Sequence, residues 1–225
     1  MIRWVQLDTA TVPDGGGELR LMQRGHEFSI MAGSNELMNS RLSGSEEALA
    51  TLVLQKLDGR RAPRLLIGGL GMGFTLRAAL QVASADTQIT VVELVPSVVA
   101  WARGPMAGLY GDSLADPRVE IVEADVGTVI RAAPAAWDGI LLDVDNGPEG
   151  LTRRENDRLY SHEGLAAARD ALTPGGVLAV WSSAPHPAFT GRLRESGYGV
   201  HEMPVWARAG RKGSRHMIWL ATRPE

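Results

Sequence analysis

A few glycines and acids are spaced so that they could hold a nucleotide and support group transfer. Gly68, Gly69, Gly71 and Gly73 fall in Gly68-Gly69-Leu70-Gly71-Met72-Gly73, between the apolar run RLLIGG and the helical stretch FTLRAALQVA. Glycines there let the chain turn sharply and let a ligand approach the backbone. Glu93 ends the next apolar run, 20 residues beyond Gly73. An acid at that place can accept hydrogen bonds from both hydroxyls of a ribose. Asp125 ends a third apolar run and Asp143 a fourth, the latter opening Asp143-Val144-Asp145-Asn146-Gly147-Pro148. Carboxylates such as Asp143 and Asp145 can orient an amine or accept a proton from a nucleophile. Tyr160 and His162 follow and could border the same place. Each residue also has a plainer reading: a tight strand-to-helix turn for the glycines, a turn acid for Asp145, helix-start packing and capping for Tyr160 and His162.

These residues need elements to carry them. From Arg64 onward the pattern is strand, turn, helix, repeated: RLLIGG, QITVVEL, VEIVEAD, WDGILLD and VLAVWSS alternate with helical stretches. Near-continuous apolar strands between helices imply a parallel sheet covered on both faces. GVHEMPVWARA and RHMIWLATR form a closing pair around the polar turn Gly210–Ser214, adding an antiparallel strand. The expected fold is α/β, a doubly wound, mostly parallel seven-stranded sheet of Rossmann-like type. In such a sheet ligands sit outside the carboxyl ends of the strands, where the glycine loop, Glu93, Asp125 and Asp143 all arrive. Residues 1–44 read as a separate small β-hairpin unit split by Asp14-Gly15-Gly16-Gly17, with 33–44 as a connecting loop; 45–225 is the ligand-binding domain. Ser45 is a candidate N-cap for a helix bearing Ala48, Leu49, Leu52, Val53 and Lys56, with Glu46 and Glu47 as favourable charge in its first turn.

The 225 residues, 44% hydrophobic and 22% charged, suffice for one domain with a sizeable core plus a small appendage. The chain has no cysteine, which excludes disulfides, a thiolate nucleophile and thiolate metal ligation. No run reaches the length of a membrane span and the N-terminus lacks a signal-peptide pattern, so a cytoplasmic location is expected. A net charge of -3 argues against a nucleic-acid partner; Arg208, Arg211, Lys212 and Arg215 read as a solvated hairpin loop. Trp101, Trp137, Trp181, Trp206 and Trp219 read as core. The sequence leaves a homodimer open.

The runs LLIGGLGMG, VVELVPSVV, VEIVEAD, WDGILLDVDNGP and LYSHEGLAAARDALTPGGVLAV resemble the S-adenosylmethionine-dependent methyltransferase superfamily over about residues 64–182. More narrowly, the stretch Leu159-Tyr160 through Pro174-Gly175-Gly176, the Gly-Pro after the fourth strand and the leading β-unit resemble the spermidine/spermine synthase family, whose donor is decarboxylated S-adenosylmethionine. The resemblance implies that Gly68 to Gly73 cradle the methionine part of the donor, Glu93 holds the ribose, Asp125 the adenine amino group, and Asp143 faces the sulfonium and the acceptor. Two departures stand out. The family's Gly-Gly-Gly-Asp-Gly-Gly loop binds the aminopropyl end through its Asp, and Gly71 stands there. The second Asp of the family's Asp-Ser-Ser-Asp-Pro is replaced by Asn146, with Asp145 displaced by one position. In polyamine synthases the region around His26, Glu46 and Glu47 helps close the site.

A glycine at 71 removes a negative charge that would repel the carboxylate of S-adenosylmethionine. The leading expectation is therefore methyl transfer from S-adenosylmethionine to a small molecule, with Asp143, Asp145 and Tyr160 as catalytic candidates. The alternatives are aminopropyl transfer from the decarboxylated donor to a polyamine, and a non-catalytic cofactor-binding protein of the same fold. Asp143-Val144-Asp145-Asn146 also resembles the acidic run of metal-dependent catechol-type methyltransferases, but the later Asp-Asn ligand pair is missing and no metal site is expected.

Overall fold

The computed structural model describes residues 2–144, 147–148, 158–208 and 212–225. Its larger part is a seven-stranded sheet. Strands β5 (Arg64–Gly68), β6 (Gln88–Glu93), β7 (Val119–Glu123), β8 (Trp137–Leu142) and β9 (Leu172–Ser182) pair in parallel, and β10 (Gly199–Arg208) and β11 (Lys212–Thr222) close one side as an antiparallel hairpin; the strands that precede them form a separate sheet. The spatial order is β10-β11-β9-β8-β5-β6-β7. The chain thus winds outward from β5 through β6 to β7, then restarts on the other side of β5 with β8. The crevice between β5 and β8, at their carboxyl ends, is the switch point where ligands bind in open α/β sheets. The expected α/β fold is the one observed.

The apolar runs explain the layers. Leu65, Leu66 and Ile67 of β5 and Ile140 and Leu141 of β8 are fully buried, because successive side chains point to opposite covered faces. Helices α1 (Gly44–Lys56), α2 (Phe74–Val82) and α3 (Pro96–Arg103) pack with one core cluster, and α5 (Val126–Ala132), α6 (His162–Ala171) and α7 (Pro187–Glu195) with the other. The short α4 (Ala107–Tyr110) brings Tyr110 under the glycine loop, where its hydroxyl donates to the Gly71 carbonyl at 2.6 Å.

The N-terminal unit is larger than a hairpin. It is a four-stranded antiparallel sheet of β1 (Val5–Thr11), β2 (Glu18–Arg24), β3 (Glu27–Ala32) and β4 (Asn35–Asn39), in that order. The expectation of a loop over 33–44 is corrected: Ala32 pairs with Asn35 across the two-residue turn Gly33-Ser34, with Gly33 at φ 57°. That positive φ suits the primed turns that match strand twist. The extra strand carries Leu37 and Met38 over the crevice.

Helix α1 begins two residues earlier than expected. Its N-cap residue is Ser43, which makes no side-chain cap bond, and Ser45 lies inside the first turn, fully buried. Leu49, Ala50 and Val53 bury the helix against the core, which fixes where Ser45 and Glu46 point. Leu49→Ala should therefore cost about 2–5 kcal/mol through the cavity it leaves. We expect a melting temperature lower by roughly 5–15 °C, measured by calorimetry against the parent chain.

Candidate active site

The crevice holds two adjoining chambers that share Gly71, Met38 and Asp143. The first is lined by the glycine loop, Glu93 to Val95, Asp125, Val126 and Val144. Gly69 adopts φ 92°, and a Cβ there would collide with the Asp143 carbonyl oxygen. Gly73, at φ 77°, starts α2, and a Cβ there would enter the Tyr110 ring. Glycine is the residue that fits both places. The loop stays tied to the sheet: the Gly69 N–H donates to the Val92 carbonyl at 2.9 Å, and the Asp143 N–H to the Gly68 carbonyl at 3.0 Å.

Glu93 ends β6 buried, at 8% exposure. Its Oε2 accepts from the Leu70 N–H and its Oε1 from the Val95 N–H, both at 2.9 Å. Burial pushes the carboxyl above the usual range, and those backbone donors oppose the shift. Each oxygen of a carboxylate can accept a second bond, so Glu93 is pinned yet able to take ribose hydroxyls. Asp125 caps α5: its Oδ1 accepts from the Thr128 N–H at 2.8 Å and from the Thr128 hydroxyl at 3.1 Å. It stands at the rim of the same chamber.

The second chamber was not legible as a unit in the sequence. It lies beyond Gly71 and is lined by Met38, Glu46, Phe74, Asp143 and Trp181. Thr75 of α2 donates to Asp143 Oδ2 at 2.7 Å and approaches the Glu46 carbonyl at 3.5 Å. Both carboxyls are held above the usual range. Burial is the main cause for each, and the charge of Asp143 raises Glu46 further. Glu46 is thus more than first-turn charge. Trp181 is more than core: its buried indole N–H, a donor, has no hydrogen-bond partner among the described residues.

Behind Glu46, the Ser45 hydroxyl lies 2.6 Å from Glu46 Oε2 and 2.9 Å from Nδ1 of His216 on β11. His216 sits edge-on to Trp181, with ring centroids 5.0 Å apart, and burial lowers its pKa. Neither Thr75 nor His216 carried a sequence signal. Thr75 lies mid-run in a helix start, and His216 alternates inward on a strand 171 residues from Ser45.

Two other residues considered for the site, Tyr160 and His162, line neither chamber. Tyr160 is buried in the core, edge-on to Phe189, its hydroxyl 3.5 Å from the Val144 carbonyl, and it lines neither chamber. His162 lies at the surface with Nε2 3.5 Å from Glu195. Asp145 and Asn146 lie outside the described residues. Among the described residues no cluster of three or more His, Cys, Asp or Glu could hold a metal, and no helix is long and apolar enough to cross a membrane.

Comparison with known proteins adds a family. The spermine/spermidine synthase domain matches residues 44–189. The polyamine aminopropyltransferase of Mycobacterium tuberculosis is 34% identical over 152 residues, 64% of this chain and 28% of that protein. Polyamine aminopropyltransferase 1 of Streptomyces coelicolor is 34% identical over 137 residues, 60% of this chain and 25% of that protein. The chain therefore matches a minor part of the length of these curated relatives. The crystal structure of spermidine synthase from Thermotoga maritima superposes with a TM-score of 0.75 at 17% identity, covering 97% of this chain and 72% of that one; this likeness concerns the fold. The expectation of methyl transfer is corrected by the family match and by these relatives. Its physical ground also fails, because the acid missing at position 71 is supplied by Glu46, which lines the same chamber.

Two acids held above their unfolded pKa favour the folded state most at low pH. That contribution is complete below the unfolded values and is lost as pH rises through the folded ones, about 7 for Glu46. The ligand-free protein should lose a few degrees of melting temperature between about pH 4 and 7. Glu46→Gln should flatten that slope; a slope unchanged by the substitution would remove the acid pair as its cause.

Proposed function

We propose, from the premise that the chain belongs to the spermine/spermidine synthase family, that it transfers the aminopropyl group of decarboxylated S-adenosylmethionine to an amine of a polyamine. The observation that carries this reading is charge. Among the described residues lining the two chambers, the charged ones are Glu46, Glu93, Asp125 and Asp143, all acidic, with no lysine or arginine. A donor that keeps its α-carboxylate would bring that group toward Glu46 and Asp143 without a cation to meet it. The decarboxylated donor ends in an ammonium, and a polyamine is a chain of ammonium groups. At about 4 Å and an effective dielectric of about 20, one such pairing is worth on the order of 4 kcal/mol before desolvation.

The residues then divide the work. The backbone of Gly69 to Gly73 and the chamber beside it receive the donor, with Glu93 on its ribose and Asp125 near its adenine. Asp143, shared by both chambers, faces the place where donor and acceptor meet. An acceptor ammonium must first lose a proton, and Glu46 and Asp143 are the groups positioned to take it. The neutral amine nitrogen then attacks the methylene beside the sulfonium. A C–N bond forms, the C–S bond breaks with its electron pair going to sulfur, and the product nitrogen carries the positive charge. A base held near neutrality is well matched to this task. Glu46 thus offsets both departures in the sequence, the glycine at 71 and the asparagine at 146.

Two measurements test this. Calorimetry should show the decarboxylated donor binding at least tenfold tighter than S-adenosylmethionine, with Glu46→Gln erasing most of the difference, and putrescine or spermidine should be consumed with the decarboxylated donor. Equal or tighter binding of S-adenosylmethionine, with no amine consumed, would overturn the reading. Glu93→Ala should weaken either donor by about 10- to 100-fold, since charge-assisted bonds are worth roughly 1.5–3 kcal/mol each. Unaltered affinity would remove Glu93 from the ribose site.

A further inference from the structure

The proton taken from the acceptor must leave a half-buried chamber, and one built route leads from Glu46 through its neighbour on α1. Ser45 is fully buried and bridges Glu46 Oε2, at 2.6 Å, to His216 Nδ1, at 2.9 Å. His216 on β11 is only half-buried, which leaves part of the residue open to solvent. We propose that Ser45 and His216 are positioning residues that carry the proton from Glu46 to solvent, an assignment that rests on the aminopropyl-transfer reading for the proton's origin but not for its path.

A serine hydroxyl has one proton and two lone pairs, so this bridge can run in two directions. With Glu46 ionised, Ser45 donates to Glu46 and accepts from the Nδ1–H of His216. With Glu46 protonated, Glu46 donates to Ser45, and Ser45 donates to a bare Nδ1. In the transfer, Glu46 loses one proton to Ser45 while Ser45 passes its own to Nδ1. Glu46 is left as carboxylate, Ser45 is unchanged in composition, and His216 becomes imidazolium. The imidazolium then releases the proton on Nε2 to water, and tautomer exchange through solvent restores the bare Nδ1 for the next turnover. Burial lowers the His216 pKa, which favours that release. The acid is on the serine and not on the outer nitrogen of the imidazole, so the arrangement differs from a nucleophilic Ser-His-acid triad. It suits proton traffic and not attack by Ser45. The titratable groups facing Glu46 are Asp143 across the chamber, Glu47 beside it on α1, and His216 through Ser45.

The test has one arm that needs no turnover. Nitrogen-detected NMR of the ligand-free protein should show the His216 ring titrating in two steps, its own and one that follows Glu46. Ser45→Ala or Glu46→Gln should leave one step. In the second arm, His216→Gln should bind the decarboxylated donor within about twofold of the parent by calorimetry yet turn over at least tenfold more slowly at pH 7. Added imidazole should restore part of the rate in His216→Ala, and the deficit should shrink as pH rises and hydroxide replaces the relay. A single-step titration indifferent to Ser45 and Glu46 would overturn the proposal, as would an unaltered rate in His216→Gln, or a rate loss that tracks melting temperature and ignores imidazole. A parent that consumes no polyamine while the two-step titration persists would instead remove the aminopropyl-transfer reading and leave the relay standing.

Discussion

Asp143 and Glu46 share one chamber, and two carboxyls held close in a half-buried place oppose each other's ionisation. The fold keeps them together through separate elements. Asp143 is set by the end of β8 and by the Thr75 hydroxyl at 2.7 Å. Glu46 is set by α1, whose buried face of Leu49, Ala50 and Val53 leaves it little freedom to turn away. Such an arrangement costs stability in the empty protein and is relieved by positive charge. Much of the site follows from it: an acidic lining without a cation among the described residues, and a chamber placed just past Gly71.

The first chamber serves a different constraint. Its glycine loop must bring backbone close to a ligand while the chain reverses from β5 into α2. Gly69 abuts the Asp143 carbonyl and Gly73 abuts Tyr110, so the loop, the end of β8 and the short α4 are locked as one unit. That rigidity holds Glu93 and Asp143 at fixed separation before any ligand arrives, which is the preorganisation that group transfer requires.

Much of this was readable in the sequence, and the parts that were not share a cause. Strands β5 to β9 were legible as apolar runs, and Glu93, Asp125 and Asp143 as the polar residues that end them, because strand period and strand ends are local properties. β4 was missed because only Leu37 and Met38 of its five residues are apolar and its order comes from pairing with β3 across the Gly33-Ser34 turn. Tyr160 looked like a site residue by its place after the Asp143 loop, and instead packs on Phe189 in the core. The inference from Gly71 to methyl transfer was sound in its electrostatics and wrong in its inventory of charges. Position 71 does lack an acid, but Glu46 is 97 residues before Asp143 in the chain and meets it through helix packing. No spacing rule announces that meeting, nor the Ser45–His216 bridge.

The central claim is that the acid pair receives the positive end of the donor. A bound ammonium lowers the pKa of a carboxyl beside it, so binding near pH 6.5 must release protons. Titrating the decarboxylated donor into the protein in buffers of different ionisation enthalpy measures that release directly. The expected result is net proton release in the parent and close to none in Glu46→Gln/Asp143→Asn. Binding without proton exchange in the parent, or the same release in the double variant, would contradict the account.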